Sequence, residues 1–285
     1  MSDRIVLLGT KGGPAIRGGG PSPTSSLLIV DETPYVIDCG LGVTRGFVEA
    51  GFRLTDLKTI LITHHHSDHN LEFGNLLHTV WTAGLSRPVT AYGPTGLHDM
   101  ANDFLRLNRF DIETRIADEG RVDFAGLLDI REYADGLVFD DGKVKVTALR
   151  NHHPPIVDSF ALRFEFGGRC VVFSGDTAFL PELAAFAKGA DLLVHEALYG
   201  PGVDALVARV KNGSRLREHL LASHTLAEDV GRIATLAGVK QLALHHLVPA
   251  DDPDITEQHW RTAVANTFTG PLHVGRDGMV IPVAP

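Results

Sequence analysis

Apolar residues in this chain come first in short, strand-length runs cut by turns, and later in runs of helical spacing that alternate with strands. RIVLLG (4–9) reads as a strand, and a glycine-rich loop, GTKGGPAIRGGGPSPTSS, follows it. SLLIV and YVID read as strands joined by the turn DETP. GVTRGFVEAG reads as a short helix closed by Gly51, and TILIT as an apolar strand. LEFGNLLHTVWTAG and TGLHDMANDFLRLN have helical spacing on either side of the strand VTAYGP. Residues 121–150 hold several strand candidates and end in KVKVTALR, where polar and apolar positions alternate. SFALRFEF and RCVVFSGD predict a hairpin around Gly167 and Gly168. DLLVHEA, the amphipathic helix TLAEDVGRIATLAGV, the strand QLALHH, the helix TEQHWRTAVANTF and the strand GMVIPV complete the pattern.

Meanders followed by alternating strands and helices, with the half-pattern occurring twice, predict an α/β fold. Two mixed β-sheets pack face to face with helices outside, an αββα sandwich. No Pro-, Ser- or charge-rich linker divides residues 1–285, so a single domain is expected. No apolar run approaches the roughly 18 residues needed to cross a membrane. The start, MSDRIVLLGT, lacks the features of a signal peptide. Cys39 and Cys170 sit in apolar runs and read as buried free thiols of a cytoplasmic protein. The net charge is -9 and no basic stripe stands out, so no nucleic-acid partner is expected. The glycine-rich loop lacks a following G-K-[ST] and reads as flexible rather than as a phosphate cradle. Its Lys11 reads equally as a solvated lysine or as a contact to an anionic substrate.

Histidine changes the picture. There are 15, several of them adjacent, and the clusters fall at the ends of apolar strands. TILIT runs into His64, VKVTALRN into His152 and His153, RCVVFSGD into Asp176, DLLVHEA into His195 and Glu196, and QLALHH into His245 and His246. Loops at one edge of a sheet converge, which is where a site is built. Within THHHSDHN, alternation in an extended segment points His64 and His66 together and His65 away. Asp68 and His69 share a direction only if the chain turns there into the following helix. Imidazole and carboxylate donors suit zinc, manganese or iron. Asp176 has two oxygens with which to bridge two ions, and His153 and His246 are available to complete two ligand sets. His219 reads as a solvated helix-surface residue, and His78, Trp81, Phe104 and Phe110 read as core or pocket wall.

H-x-H-x-D-H after an apolar strand, then a histidine, then GDT, then a histidine, resembles the metallo-β-lactamase fold across nearly the whole chain. LLGT, IDCG, YGP, DLLVHEA and SHT resemble its ribonuclease Z-like and arylsulfatase-like branch. The resemblance implies a hydrolase with two divalent metal ions, zinc foremost and manganese or iron as alternatives, and a metal-bridging hydroxide as nucleophile. It implies that His64, His66 and His153 hold one ion, that Asp68, His69 and His246 hold the other, and that Asp176 bridges them. It favours His153 over His152 and His246 over His245. Asp68 would also take the water's proton, while Asp38 and His195 would support the ligands from behind. His224 in SHT would be the general acid, oriented by Glu196 in HEA, although Leu198 replaces that motif's threonine and SHTL stands for GHST.

Ribonuclease Z carries a tRNA-clamping arm between its third histidine and its bridging aspartate. Here that interval, His153 to Asp176, holds only the predicted hairpin. The expected substrate is therefore a small-molecule phosphodiester, sulfate ester or related ester. A lactone or carboxylic ester is the alternative, and a non-catalytic metal-dependent sensor a further one. Segment 94–143 is longer than a simple crossover and reads as a lid or a dimer contact, in line with the homodimers that the resemblance implies.

Overall fold

The computed structural model describes residues 3–283. Strands β1 (Arg4–Gly9), β2 (Ser25–Val30), β3 (Thr33–Ile37), β4 (Thr59–Leu61), β5 (Val89–Gly93) and β6 (Leu128–Glu132) lie side by side in chain order. Strands β7 (Gly136–Asp140), β8 (Lys145–Arg150), β9 (Phe160–Phe166), β10 (Arg169–Phe173), β11 (Leu192–Leu198), β12 (Leu242–Val248) and β13 (Leu272–Val274) form a second sheet, also in chain order. Finally β14 (Met279–Pro282) returns to the first sheet, antiparallel to β1. Both sheets are mixed: β3 to β6 and β10 to β13 run parallel, and the remaining neighbours pair antiparallel.

Three apolar layers hold this together. Leu7, Leu28 and Ile37 of the first sheet meet Leu162, Phe164 and Val194 of the second in the central layer. Outside the first sheet, Val36, Ile60 and Ala91 pack on helices Val43–Glu49 and Phe73–Thr82. Outside the second, Val172, Leu193 and Leu244 pack on Pro181–Phe186, Ala227–Ala237 and Glu257–Ala265. Strands covered on both faces have no polar side to show, which is why β2, β11 and β12 are buried along their whole length. Gly167 and Gly168 both take positive φ, 52° and 75°, as the tight turn between β9 and β10 requires.

Segment 94–143 forms helices Leu97–Leu107 and Arg109–Glu119 and then the edge strands β6 and β7. The second of these helices escapes a hydrophobic-period reading because only Ile112 is buried. Ile116, one turn on, is only half-buried against the same core, and Arg115 adds ion pairs to Asp111 and Glu119. Phe110 is not core or pocket wall: it stands at the turn between the two helices and is 85% exposed. Trp81 is buried, stacks on Phe124 with ring centroids 5.1 Å apart, and donates its indole N–H to the Val122 carbonyl. His78 leans on the same ring and reaches Asp111, while Phe104 packs against this core. Among the described residues no helix is long and apolar enough to cross a membrane.

Candidate metal centre

His64 follows the end of β4 in extended backbone, and the chain turns at His66, which caps helix Ser67–Asn70. That turn sets Asp68 and His69 toward the side that His64 and His66 already face. His65 faces the other way, toward Asn70 and the Pro94 carbonyl. His153 arrives from the loop after β8 and is buried, whereas His152 is exposed. Asp176 follows β10. The β12 pair is separated by a bulge: Glu196 pairs with His245 and Ala197 with Leu247, so His246 is the extra residue. Its φ of 42° lies in the left-handed region, uncommon for a residue with a Cβ and a mark of a position held for use. His245 points into the interior instead and donates Nε2–H to the Gly9 carbonyl. Burial, aided by His246, pushes its pKa down to about 3.

Among the described residues the donor atoms converge in three groups, the third of which, Asp176–His224–His246, shares a residue with each of the other two. His64 Nε2 lies 3.1 Å from His66 Nδ1, and His153 Nε2 lies 3.0 Å from the same atom. Asp176 Oδ2 is 3.8 and 3.9 Å from the first and third of these nitrogens. On its other side it is 3.3 Å from His69 Nε2 and 3.1 Å from His246 Nε2. Asp68 Oδ2 is 3.1 Å from His246 Nε2. Each of the sets His64–His66–His153–Asp176 and Asp68–His69–His246 has ligand atoms within 4.8 Å of one another.

Hydrogen bonds behind the cluster fix which nitrogens carry protons. Asp38 Oδ2 accepts from His69 Nδ1 at 2.8 Å, and the Ser223 carbonyl accepts from His153 Nδ1 at 2.9 Å. The Thr63 hydroxyl is 2.9 Å from Asp38 Oδ2, to which it donates, so it accepts from His64 Nδ1. The Nε2 atoms of His64 and His153 therefore present lone pairs to the cluster. Burial would lower the His69 pKa, but Asp176, Asp38 and Asp68 outweigh it and raise it, so its Nε2 offers a lone pair once a cation displaces that proton. His66 Nδ1 carries at most one proton and can donate it to only one of His64 Nε2 and His153 Nε2, so at least one of these contacts of about 3 Å sets two lone pairs face to face unless a cation lies between them. Tetrahedral zinc with bonds of about 2.0–2.1 Å sets its nitrogens roughly 3.3 Å apart, close to the spacing here. His69 Nε2 and Asp176 Oδ1 are buried with no hydrogen-bond partner, which fits the same conclusion. Burial alone would raise the pKa of Asp68 and Asp176, but His69 and His246 outweigh it and keep both well below the carboxylate range. Both are ionised donors at neutral pH.

Glu196 ends in a different network. Its Oε1 accepts from the Thr177 amide at 3.0 Å, from His224 Nδ1 at 3.1 Å and from the Thr225 amide at 3.3 Å. Burial pulls the His224 pKa down, but the Glu196 charge and hydrogen bond, with Asp176 and Asp68 behind, raise it to about 9. The His224 ring stacks 5.4 Å from that of His246. His195 is buried on the opposite side of β11 and donates to the Glu196 carbonyl rather than to any member of the cluster.

The cluster opens into a cleft of about 350 Å³ walled by Leu206, Leu216 and Leu220 on one side and by the glycine-rich loop on the other. That loop lies directly on the site. The Gly13 amide donates to Asp68 Oδ2 at 2.6 Å, and a Cβ on Gly12 would come within 2.7 Å of His246 Cε1. The start of the loop, Lys11 to Gly13, is therefore packed against the site, whereas residues 14–20 are exposed. Lys11 is buried, with Nζ on the Gly12 and Gly13 carbonyls. His219, which reads as solvated in sequence, stands in the cleft wall because helix Leu216–Ser223 turns it inward. Its ring centroid is 6.0 Å from His66, 5.9 Å from His153 and 5.8 Å from His224. The only sequence signal for it is its place five residues before His224, on a helix that leads straight into the site.

Residues 19–223 match the model of the metallo-beta-lactamase superfamily. The chain is 31% identical over 277 residues to a protein named Ribonuclease Z from Mycobacterium bovis (strain BCG / Pasteur 1173P2), covering 96% of this chain and 95% of that one. It is 30% identical over 277 residues to a Ribonuclease Z from Mycolicibacterium gilvum, covering 96% and 93%. Among solved structures, human tRNase Z, short form, aligns with a TM-score of 0.71 at 20% identity over 99% of this chain and 100% of that one. YhfI from Bacillus subtilis, a metallo-beta-lactamase fold protein, gives 0.72 at 20% identity over 99% and 100%. The ribonuclease relatives overturn the expectation of no nucleic-acid partner. A net charge of -9 is a sum over the whole surface and does not describe the cleft, where Lys11 and Arg17 stand with Asp68, Asp176 and Asp251. The chain belongs to the metallo-beta-lactamase superfamily and is a metal-dependent hydrolase.

Proposed function

We infer that the chain is a two-metal phosphodiesterase acting on RNA, with zinc as its resident ion. The central apolar layer shared by both sheets supports reading it as one domain. In this reading His64, His66 and His153 hold one ion, Asp68, His69 and His246 the second, and Asp176 reaches both. Bound divalent ions supply Lewis-acid polarisation and acidify a water near neutral pH. The protein's own groups do the remainder. Asp68, kept ionised and oriented by the Gly13 amide, takes a proton from the attacking water. Asp38 holds the His69 tautomer. His224, protonated at neutral pH and aimed by Glu196, gives its proton to the departing oxygen.

The observation that carries this reading is the buried Glu196–His224 pair beside the cluster. A ribose alkoxide is a poor leaving group and needs such an acid. The relatives' name supplies the substrate class. The test is to load the protein with zinc or manganese and assay a precursor tRNA bearing a 3′ extension, bis(p-nitrophenyl) phosphate, an aryl sulfate and a lactone in parallel. The reading expects cleavage of the RNA and of the aryl phosphodiester. Turnover of the sulfate or lactone alone contradicts it.

A further inference from the structure

We propose that His219 is a specificity residue that accepts a hydrogen bond from the hydroxyl vicinal to the leaving oxygen, the 2′-hydroxyl of a ribonucleotide. The proposal rests on the phosphodiesterase reading above and extends it to how the sugar is recognised.

The hydrogen bonds around Ser223 fix the histidine's tautomer. Ser223 Oγ–H donates to the Pro154 carbonyl at 2.6 Å, so its proton is committed. His219 Nδ1 lies 3.3 Å from the same oxygen, which must therefore accept from Nδ1–H. The lone pair of neutral His219 is then on Nε2, across the ring, and the residue lines the cleft. That nitrogen is an acceptor in search of a donor. It is not a ligand in waiting: among the described residues, no group of donor atoms close enough to share an ion includes His219.

Position selects the donor. The His219 ring stands 5.8 Å from that of His224, the residue that protonates the leaving oxygen, and edge-on to it at 86°. With His224 on the leaving 3′-oxygen, the neighbouring His219 is assigned to the oxygen of the adjacent carbon. A ribose has a hydroxyl at that neighbour and a deoxyribose has only hydrogen. The 2′-hydroxyl is the group by which a protein tells RNA from DNA at a given position.

The test uses the metal-loaded protein and a non-cleavable dinucleoside phosphonate, made with and without the 2′-hydroxyl beside its bridging position. Affinities are measured by competition for the wild-type protein and for His219→Phe, which keeps a planar ring without the acceptor. The wild type is expected to bind the ribo form roughly tenfold more tightly, the scale of one well-placed hydrogen bond. His219→Phe is expected to bind the two forms alike. No wild-type preference, or a preference that survives in the variant, overturns the proposal, and the wild-type comparison needs no variant to fold. Failure of the phosphodiesterase reading looks different: the ribo preference and its dependence on His219 remain, while precursor RNA is not cut.

Discussion

Replacing Glu196 by Gln removes one charge and leaves the shape of the side chain in place. In the native site that carboxylate accepts from His224 Nδ1 at 3.1 Å and helps raise the imidazole from its ordinary 6.5 to about 9 against the pull of burial. A rise of that size corresponds to about 3 kcal/mol of preference for the imidazolium. At pH 8 an imidazole with a pKa near 9 is about nine-tenths protonated, and one at 6.5 only about one-thirtieth. A general acid must hold its proton before the leaving group departs, so activity falls as pH rises through this pKa. Glu196→Gln should therefore move the basic limb of the kcat profile to lower pH by more than one unit. At a pH between the two limbs it should cost activity on an RNA or alkyl phosphodiester, up to roughly 30-fold. Cations in the neighbouring cluster lower both limbs but not the sense of the displacement. With p-nitrophenolate as leaving group, which departs without a proton, the loss should be no more than about threefold. A basic limb that stays in place, or equal losses on both kinds of substrate, would refute the assignment of His224 as acid and Glu196 as its support.

His224→Ala should lower kcat on the alkyl phosphodiester by about 10²–10⁴-fold, measured at saturating substrate. Metal removal should destabilise the fold, because the facing imidazole lone pairs and the ionised Asp68 and Asp176 lose their counter-charge. A chelated sample should melt lower, and metal at about a thousand times its Kd should restore about 4 kcal/mol. Trp81→Ala should cost about 3–5 kcal/mol in urea denaturation, since it empties a fully packed site beside Phe124. Burial pushes the Cys170 thiol up to about 11 and that of Cys39 well above its usual range. Neither cysteine should be alkylated by iodoacetamide at pH 8 in the native protein, whereas mass spectrometry after denaturation should find both modified.

Much of the site was legible because its chemistry is written locally. The parity of HHHSDH separates His65 from His64 and His66, and the turn at Ser67 that brings Asp68 and His69 round is the start of a helix. The αββα architecture followed from the order of elements, meanders and then strands alternating with helices, with the half-pattern occurring twice. Other features depend on long-range contacts that a linear reading does not weigh. The bulge that turns His246 toward the cluster exists only in the pairing of β11 with β12. Helix Arg109–Glu119 packs on the core through Ile112 and Ile116 alone, and Phe110, which reads as core or pocket wall in sequence, lies off that face and is exposed. In sequence His219 reads as solvated and Lys11 stays open between two roles, because what surrounds them comes from other segments. Net charge misled about nucleic acid for a related reason: it sums over the surface, and binding is decided at the cleft.

The central claim is a site for two ions that share Asp176, and metal stoichiometry tests it most directly. The purified protein, dialysed after loading with zinc, should carry about two ions per chain by elemental analysis, as a two-metal site requires. Asp176→Asn, with the chain still folded by circular dichroism, should hold fewer. One ion or less in the wild-type protein, or an undiminished count in Asp176→Asn, would contradict the account.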